Sequence, residues 1–148
     1  MKETEIINYM KEIIDKLGNL PSSGNLPSHF LKQENIVIKA EETKTVFTMG
    51  QGILREIIIR SPSTDFNIII LIDDSEVLNE SYSELSVIGQ NSSCITAVEE
   101  LDYDGNPTGY YVVSIRLLAC REGIEVKVVN TGTSSITLPH VFVDYATS

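Results

Sequence analysis

The chain has 148 residues, of which 42% are hydrophobic and 22% charged, and its formal net charge is -10. That is enough for one ordinary domain with a short appendage, and too apolar for a disordered chain. With 11 Lys and Arg against 21 Asp and Glu, nucleic acid and anionic membrane surfaces are excluded as main partners, because both require clustered basic side chains.

Residues 1–18 are predicted as an N-terminal helix that anchors or oligomerises. Ile6, Met10, Ile13 and Leu17 follow one another at spacings of 4, 3 and 4, the seam of a coiled coil. Two heptads do not hold an isolated helix, so its partner is either its own sheet or copies from other subunits. The start MKETEIINYMKEII mixes charge with apolar residues and lacks the uninterrupted apolar run of a secretory signal. Residues 19–34 are expected as a linker arm. The unit Gly-Asn-Leu-Pro-Ser occurs at 18–22 and again at 24–28, and such Gly, Pro and Ser density breaks regular structure.

Residues 35–148 are predicted as a β-sandwich domain. Candidate strands are 35–40, 44–49, 53–60, 65–73, 84–89, 93–100, 109–118, 123–130 and 135–145. Turn residues separate them, as in Asp104-Gly105-Asn106-Pro107 and Asn130-Thr131-Gly132. Many short strands with no helix between them predict a mainly β fold, an antiparallel two-sheet sandwich of jelly-roll-like form. In 123–130, Ile124, Val126 and Val128 alternate with Glu125 and Lys127, a half-buried strand.

The stretch GILREIIIRSPSTDFNIIILID, residues 52–73, holds eight isoleucines and two leucines. It is not a membrane span. Arg55, Glu56, Arg60, Pro62 and Asp65 interrupt it, and a spanning helix needs about 20 apolar residues in succession. It is predicted as a hairpin, two strands joined at Ser61-Pro62-Ser63-Thr64. Ile58, Ile69 and Leu71 fall on the second face of these strands, so they are expected to be covered by a neighbouring subunit, a loop or the N-terminal helix.

Catalytic groups are few, and no enzyme is expected. The two histidines are His29 and His140; no nucleophile elbow, phosphate loop or dinucleotide fingerprint occurs. Cys94 and Cys120 are expected as buried free thiols, and a Cys–His pair with His140 is the weaker reading. Asp102, Asp104 and Asn106 have the alternation of a calcium loop's start. The later bidentate acid is absent, and Asp-Gly with Asn-Pro suits a hairpin turn, so no metal or other cofactor is expected. The acidic rim after Asp73 and Asp74 is expected to be solvated. Tyr82, Tyr103, Tyr110 and Tyr111 offer a thin platform for a glycan. The alternative function is therefore a carbohydrate- or ligand-binding module using loops 73–82 and 102–110.

A helix, a Gly/Pro/Ser arm and a compact sandwich together resemble small virion structural proteins of tailed phages and archaeal viruses: capsid-decoration, neck, tail or fibre-base components. The carrying strings are GILREIIIRSPSTDFNIIILIDD and GIEVKVVNTGTSSITLPHVFVDY, the second similar to the closing strands of trimeric jelly rolls. The resemblance covers residues 35 to 145. It implies a non-enzymatic building block located in the virion, a homo-oligomer (a trimer by analogy) that contacts other virion proteins and binds no cofactor. The apolar residues expected at its interfaces are Ile6, Met10, Ile13, Leu17, Ile58, Ile69 and Leu71.

Overall fold

The computed structural model describes Met10 and residues 27–147. The strands are β1 (Ser28–Ile38), β2 (Thr43–Met49), β3 (Gly52–Ser61), β4 (Phe66–Ile72), β5 (Ser75–Ser81), β6 (Ile95–Leu101), β7 (Pro107–Cys120), β8 (Ile124–Asn130) and β9 (Ile136–Thr147), with one helix, α1 (Tyr82–Gly89), between β5 and β6. They form a five-stranded sheet, β1-β9-β3-β7-β6, and a four-stranded sheet, β2-β8-β4-β5. Every pairing is antiparallel.

Alternation builds one core between the two sheets. Leu54, Ile57, Ile59, Val113, Ile115, Val141 and Val143 from the larger sheet meet Phe66, Ile68, Ile70, Ile124, Val126 and Val128 from the smaller in a single buried cluster. On β2 the period breaks. Thr45 pairs with Lys127 and Phe47 with Val126, leaving Val46 as an extra residue. This bulge turns two consecutive side chains, Val46 and Phe47, into the core. The carbonyl freed at Val46 accepts a hydrogen bond from Gln33 Nε2 of β1 at 2.8 Å, which fastens the two sheets at that edge. At the other side, the fully buried Asn130 uses its whole amide. Its Nδ2 donates to Ile38 O at 3.0 Å and Ser134 O at 2.8 Å, and its Oδ1 accepts from Gly132 N at 2.9 Å.

Several expectations change here. Residues 84–89 are helical, not a strand. Ser81 caps the helix, its Oγ accepting from Glu84 N at 3.3 Å, and Ser81-Tyr82-Ser83-Glu84 has the spacing of a capping box. Leu85 points into the core and is fully buried. A strand not foreseen, β5, precedes it. β1 begins at Ser28 and pairs with β9 from Ser28 opposite Ala146, so residues 28–34 of the expected arm lie in the sheet. Of the expected N-terminal helix, Met10 is described and is buried; Ile6, Ile13 and Leu17 lie outside the described residues.

The hairpin expected over 52–73 is not one. β3 lies in the five-stranded sheet and β4 in the four-stranded sheet, so Ser61 to Asp65 form a corner between layers. Ser61 is fully buried and its hydroxyl closes the corner, donating to Ser63 O at 2.8 Å and accepting from Ser63 N at 3.2 Å. Asp65 N donates to Ser63 Oγ at 2.9 Å. Local side-chain bonds of this kind turn the chain without a ladder partner. No described helix is long and apolar enough to cross a membrane.

Candidate functional site

The corner separates the three residues expected to form one patch. Ile58 is on the outer face of the five-stranded sheet. Ile69 and Leu71 are on the outer face of the four-stranded sheet, the opposite side of the molecule. All three are half-buried. Ile69 lies between Lys127 of β8 and Asn79 of β5, and Leu71 between Glu125 and Glu76. Across β2 the same rows continue with Thr45 and Thr48. Charged stems and short polar side chains therefore surround these two apolar residues.

The outer face of the larger sheet is different. Pairing sets up three adjoining rows. The first holds Glu34, His140, Arg60, Val112 and Val98; the second Lys32, Phe142, Ile58, Ser114 and Thr96; the third Phe30, Asp144, Glu56 and Arg116. An apolar diagonal crosses them from edge to edge: Phe30, Phe142, Ile58, Val112, Val98. Phe30 is 68% exposed and Val98 54%. The rings of Phe30 and Phe142 lie 6.2 Å apart, tilted by 31°, within the range of attractive aromatic pairs.

Ion pairs border the diagonal on both sides. On one side Arg60 Nε and Nη2 donate to Glu100 Oε2 and Oε1 at 2.8 and 2.7 Å, a bidentate fork. Thr108 Oγ1 donates to Glu100 Oε1 at 2.9 Å, and the Arg60 guanidinium carbon stands 3.9 Å from the Tyr110 ring centroid, a cation–π contact. The hydrogen bond from Arg60 holds the Glu100 carboxyl below the usual carboxylate range and raises the guanidinium in return. On the other side Glu56 Oε2 accepts from Ser114 Oγ at 2.8 Å and from Arg116 Nε at 2.9 Å. An apolar centre inside a rim of satisfied charge is the anatomy of a protein interface.

The remaining candidates take other places. Asp102 Oδ1 accepts from Asp104 N and Asn106 N, each at 2.9 Å, so the expected calcium string forms a turn held by its own carboxylate. Among the described residues no group of three or more His, Cys, Asp or Glu comes together that could hold a metal. Asp73 and Asp74 have φ of 50° and 65° and form the tight turn between β4 and β5. Two central residues of positive φ match the twist of a hairpin. Asp73 Oδ1 accepts from the backbone N–H of Arg121, Glu122 and Gly123 at 3.1, 2.7 and 3.1 Å. It clasps the β7–β8 turn. A cleft of about 270 Å³ opens beside it, lined by Met49, Leu71, Asp74 and Ile124.

The loop expected at 73–82 is largely strand β5; Tyr103, on the 102–110 turn, is fully exposed. Cys94 and Cys120 are free. Cys120 is buried, its Sγ donating to Gly50 O at 3.2 Å, and burial pushes the thiol up to about 11. Cys94 is half-buried, more open than expected. His140 and Cys120 pair with Arg60 and Gly52 at opposite ends of β3, about 25 Å apart along the strand. They form no dyad.

Sequence reasoning found Ile58, named Tyr110 only for a glycan platform, and missed Arg60, Glu100, Phe30, Phe142, Val98 and Val112 as members of this face. Only the strand register brings these together, since Arg60 and Glu100 are 40 residues apart. No family model matches the chain, and no curated protein matches it.

Proposed function

We propose that the chain is a non-enzymatic assembly protein. It docks to further copies of itself through the outer face of its five-stranded sheet. The observation that carries this reading is the exposed apolar diagonal from Phe30 to Val98, bordered by the closed ion pairs of Arg60 with Glu100 and Arg116 with Glu56. The charged groups here pair with one another and flank an apolar centre.

The connectivity supports the jelly-roll reading. The chain changes sheet at every step from β1 to β4, pairs β4 with β5, and changes again from β7 to β8 and from β8 to β9. Strands β1-β9-β3-β7 over β2-β8-β4-β5 make eight strands in two layers, with β6 added as an edge hairpin to β7. Jelly rolls of this kind serve as capsid and lectin domains. The resemblance to virion structural proteins selects the first of these: a component of a viral particle that contacts other virion proteins.

Light scattering on the full chain tests the docking. A mass well above the 16.4 kDa of one chain is expected, falling to one chain with Phe30→Asp and Val98→Asp together. A single-chain mass at every concentration, or an oligomer that this double variant leaves intact, removes the reading. Glycan binding by such a single chain, abolished by Tyr103→Ala, would put the ligand-binding alternative in its place.

A further inference from the structure

Among the residues of the three outer rows, His140 belongs to the one side-chain type whose charge ordinarily changes near neutral pH. It stands on β9 between Glu34 of β1 and Arg60 of β3. Phe142 of the apolar diagonal follows it two residues on, on the same side of the strand. His140 is half-buried, so it belongs to the face that docks.

The charges around it are already matched. On β1, Glu34 pairs with Lys32 Nζ at 3.0 Å. On β3, Arg60 is held by the fork to Glu100 of β6, and Tyr110 of β7 lies against its guanidinium. Lys32 lowers the Glu34 carboxyl and Arg60 lowers that of Glu100, and the charge of His140 adds to both. Two cations and two carboxylates thus cancel. A proton on His140 brings a fifth charge, with no unshared carboxylate beside it. A second copy supplies none either. Its Glu56 is taken by Ser114 and Arg116, and the unpartnered oxygen Asp144 Oδ1 lies out of solvent, closed to an arriving imidazole.

We infer that docking through the outer face of the larger sheet is gated by His140: the neutral imidazole joins the contact and the protonated one opens it. The inference rests on the docking reading above. Burying an unpaired charge costs far more than burying a neutral ring. Each docked face must therefore exclude one proton, so by linkage the contact is full above the imidazole range and is lost as the pH falls through it. General charge effects run the other way. A chain of net charge -10 repels its copies less as protons are added. An ordinary imidazole, half-charged at about pH 6.5, is about nine-tenths charged at pH 5.5, which gives about a tenfold loss for each face that must stay neutral.

Light scattering on dilution series of the full chain, at pH 7.5 and pH 5.5 and one ionic strength, tests this. The dissociation constant should rise by about tenfold or more at pH 5.5, with the β circular dichroism unchanged. His140→Gln should abolish the rise, and His140→Phe gives the same reading should glutamine weaken the contact. His29→Gln should keep the rise; His29, the other histidine of the chain, stacks on Tyr145 and stands outside these rows. An oligomer with equal constants at the two pH values overturns the inference and leaves the docking reading standing. So does a rise that both His140 variants retain, or one that His29→Gln removes. A single-chain mass at both pH values overturns the docking reading, and the gate with it.

Discussion

The two outer faces of this molecule are built from the same kind of strand and surround it with different neighbours. Both have isoleucine at the middle of a strand: Ile58 in the larger sheet, Ile69 in the smaller. Around Ile69 stand Lys127 and Asn79, with Glu125 paired to Lys127 at 3.5 Å and to Thr45 at 3.0 Å. Around Ile58 stand Phe142 on one strand and Ser114 on the next, with Val112 and Val98 one row on. The lesson is that a half-buried isoleucine says little alone. Its row decides: polar neighbours with long stems close over it, whereas aromatic and β-branched neighbours extend it into a patch.

The sharpest contrast lies within one strand. Ile57→Ala removes a fully buried side chain and should cost about 3 kcal/mol by denaturant unfolding. Ile58→Ala, one residue on and facing outward, should cost less than about 1 kcal/mol in the single chain. Equal costs would mean the outer face is packed as a core. Next, Ile58→Asp should weaken self-association by about tenfold or more, while Ile69→Asp leaves it unchanged; dilution series by light scattering read both. The reverse ranking would move the docking surface to the smaller sheet.

A smaller effect concerns the rim. Glu100 is depressed in the folded state, so its contribution is present above the unfolded value of about 4.3 and is lost as the pH falls through the folded value. Glu100→Gln should thus cost about 1 kcal/mol at pH 7, and the two proteins should converge in strong acid. A gap that persists there would mean the fork to Arg60 does not hold the rim. Least in energy but simple to see, a maleimide at pH 8 should modify Cys94 in the folded protein and spare Cys120, whose thiol is buried and raised to about 11. Modification of both at one rate would mean that the β3 end of the larger sheet opens.

Much of the fold was legible in the sequence for local reasons. Period-two alternation marks β8, apolar runs on either side of Ser61-Pro62-Ser63 mark the two strands of 52–73, and Asp-Gly with Asn-Pro marks the β6–β7 turn; in β3 an irregularity between Leu54 and Glu56 puts Leu54 rather than Ile53 on the core face with Ile57 and Ile59. What failed was global. A Ser-Pro-Ser turn serves equally well to fold a strand back beside itself or to carry it into the opposite layer, so β3 and β4 looked like partners when they are not. The first part of β1 carries Ser28, His29, Lys32, Gln33 and Glu34 and reads as linker, its strand being expected only from residue 35; β1 is an edge strand, held by its ladder to β9 rather than by burial. α1 was lost because eight residues are too few for a clear period, although Ser81 and Glu84 announced its start. Of the apolar diagonal on the outer face of the larger sheet, only Ile58 was legible. The other members of the diagonal come from four further strands, and no local pattern joins Phe30 to Val98.

The rims of the two sheets carry a further consequence, for how copies are kept from meeting. Lys32 and Glu34 sit on β1, Glu76 and Glu80 on β5, Glu99 and Glu100 on β6, and Lys44 on β2. Every lateral strand thus carries charge, and on β5 and β6 all of it is negative in a chain of net charge -10. A second molecule approaching to extend either ladder there meets its own carboxylates. Such guarding discourages fibre-like growth by strand addition, so a concentrated solution of this protein should resist forming cross-β material.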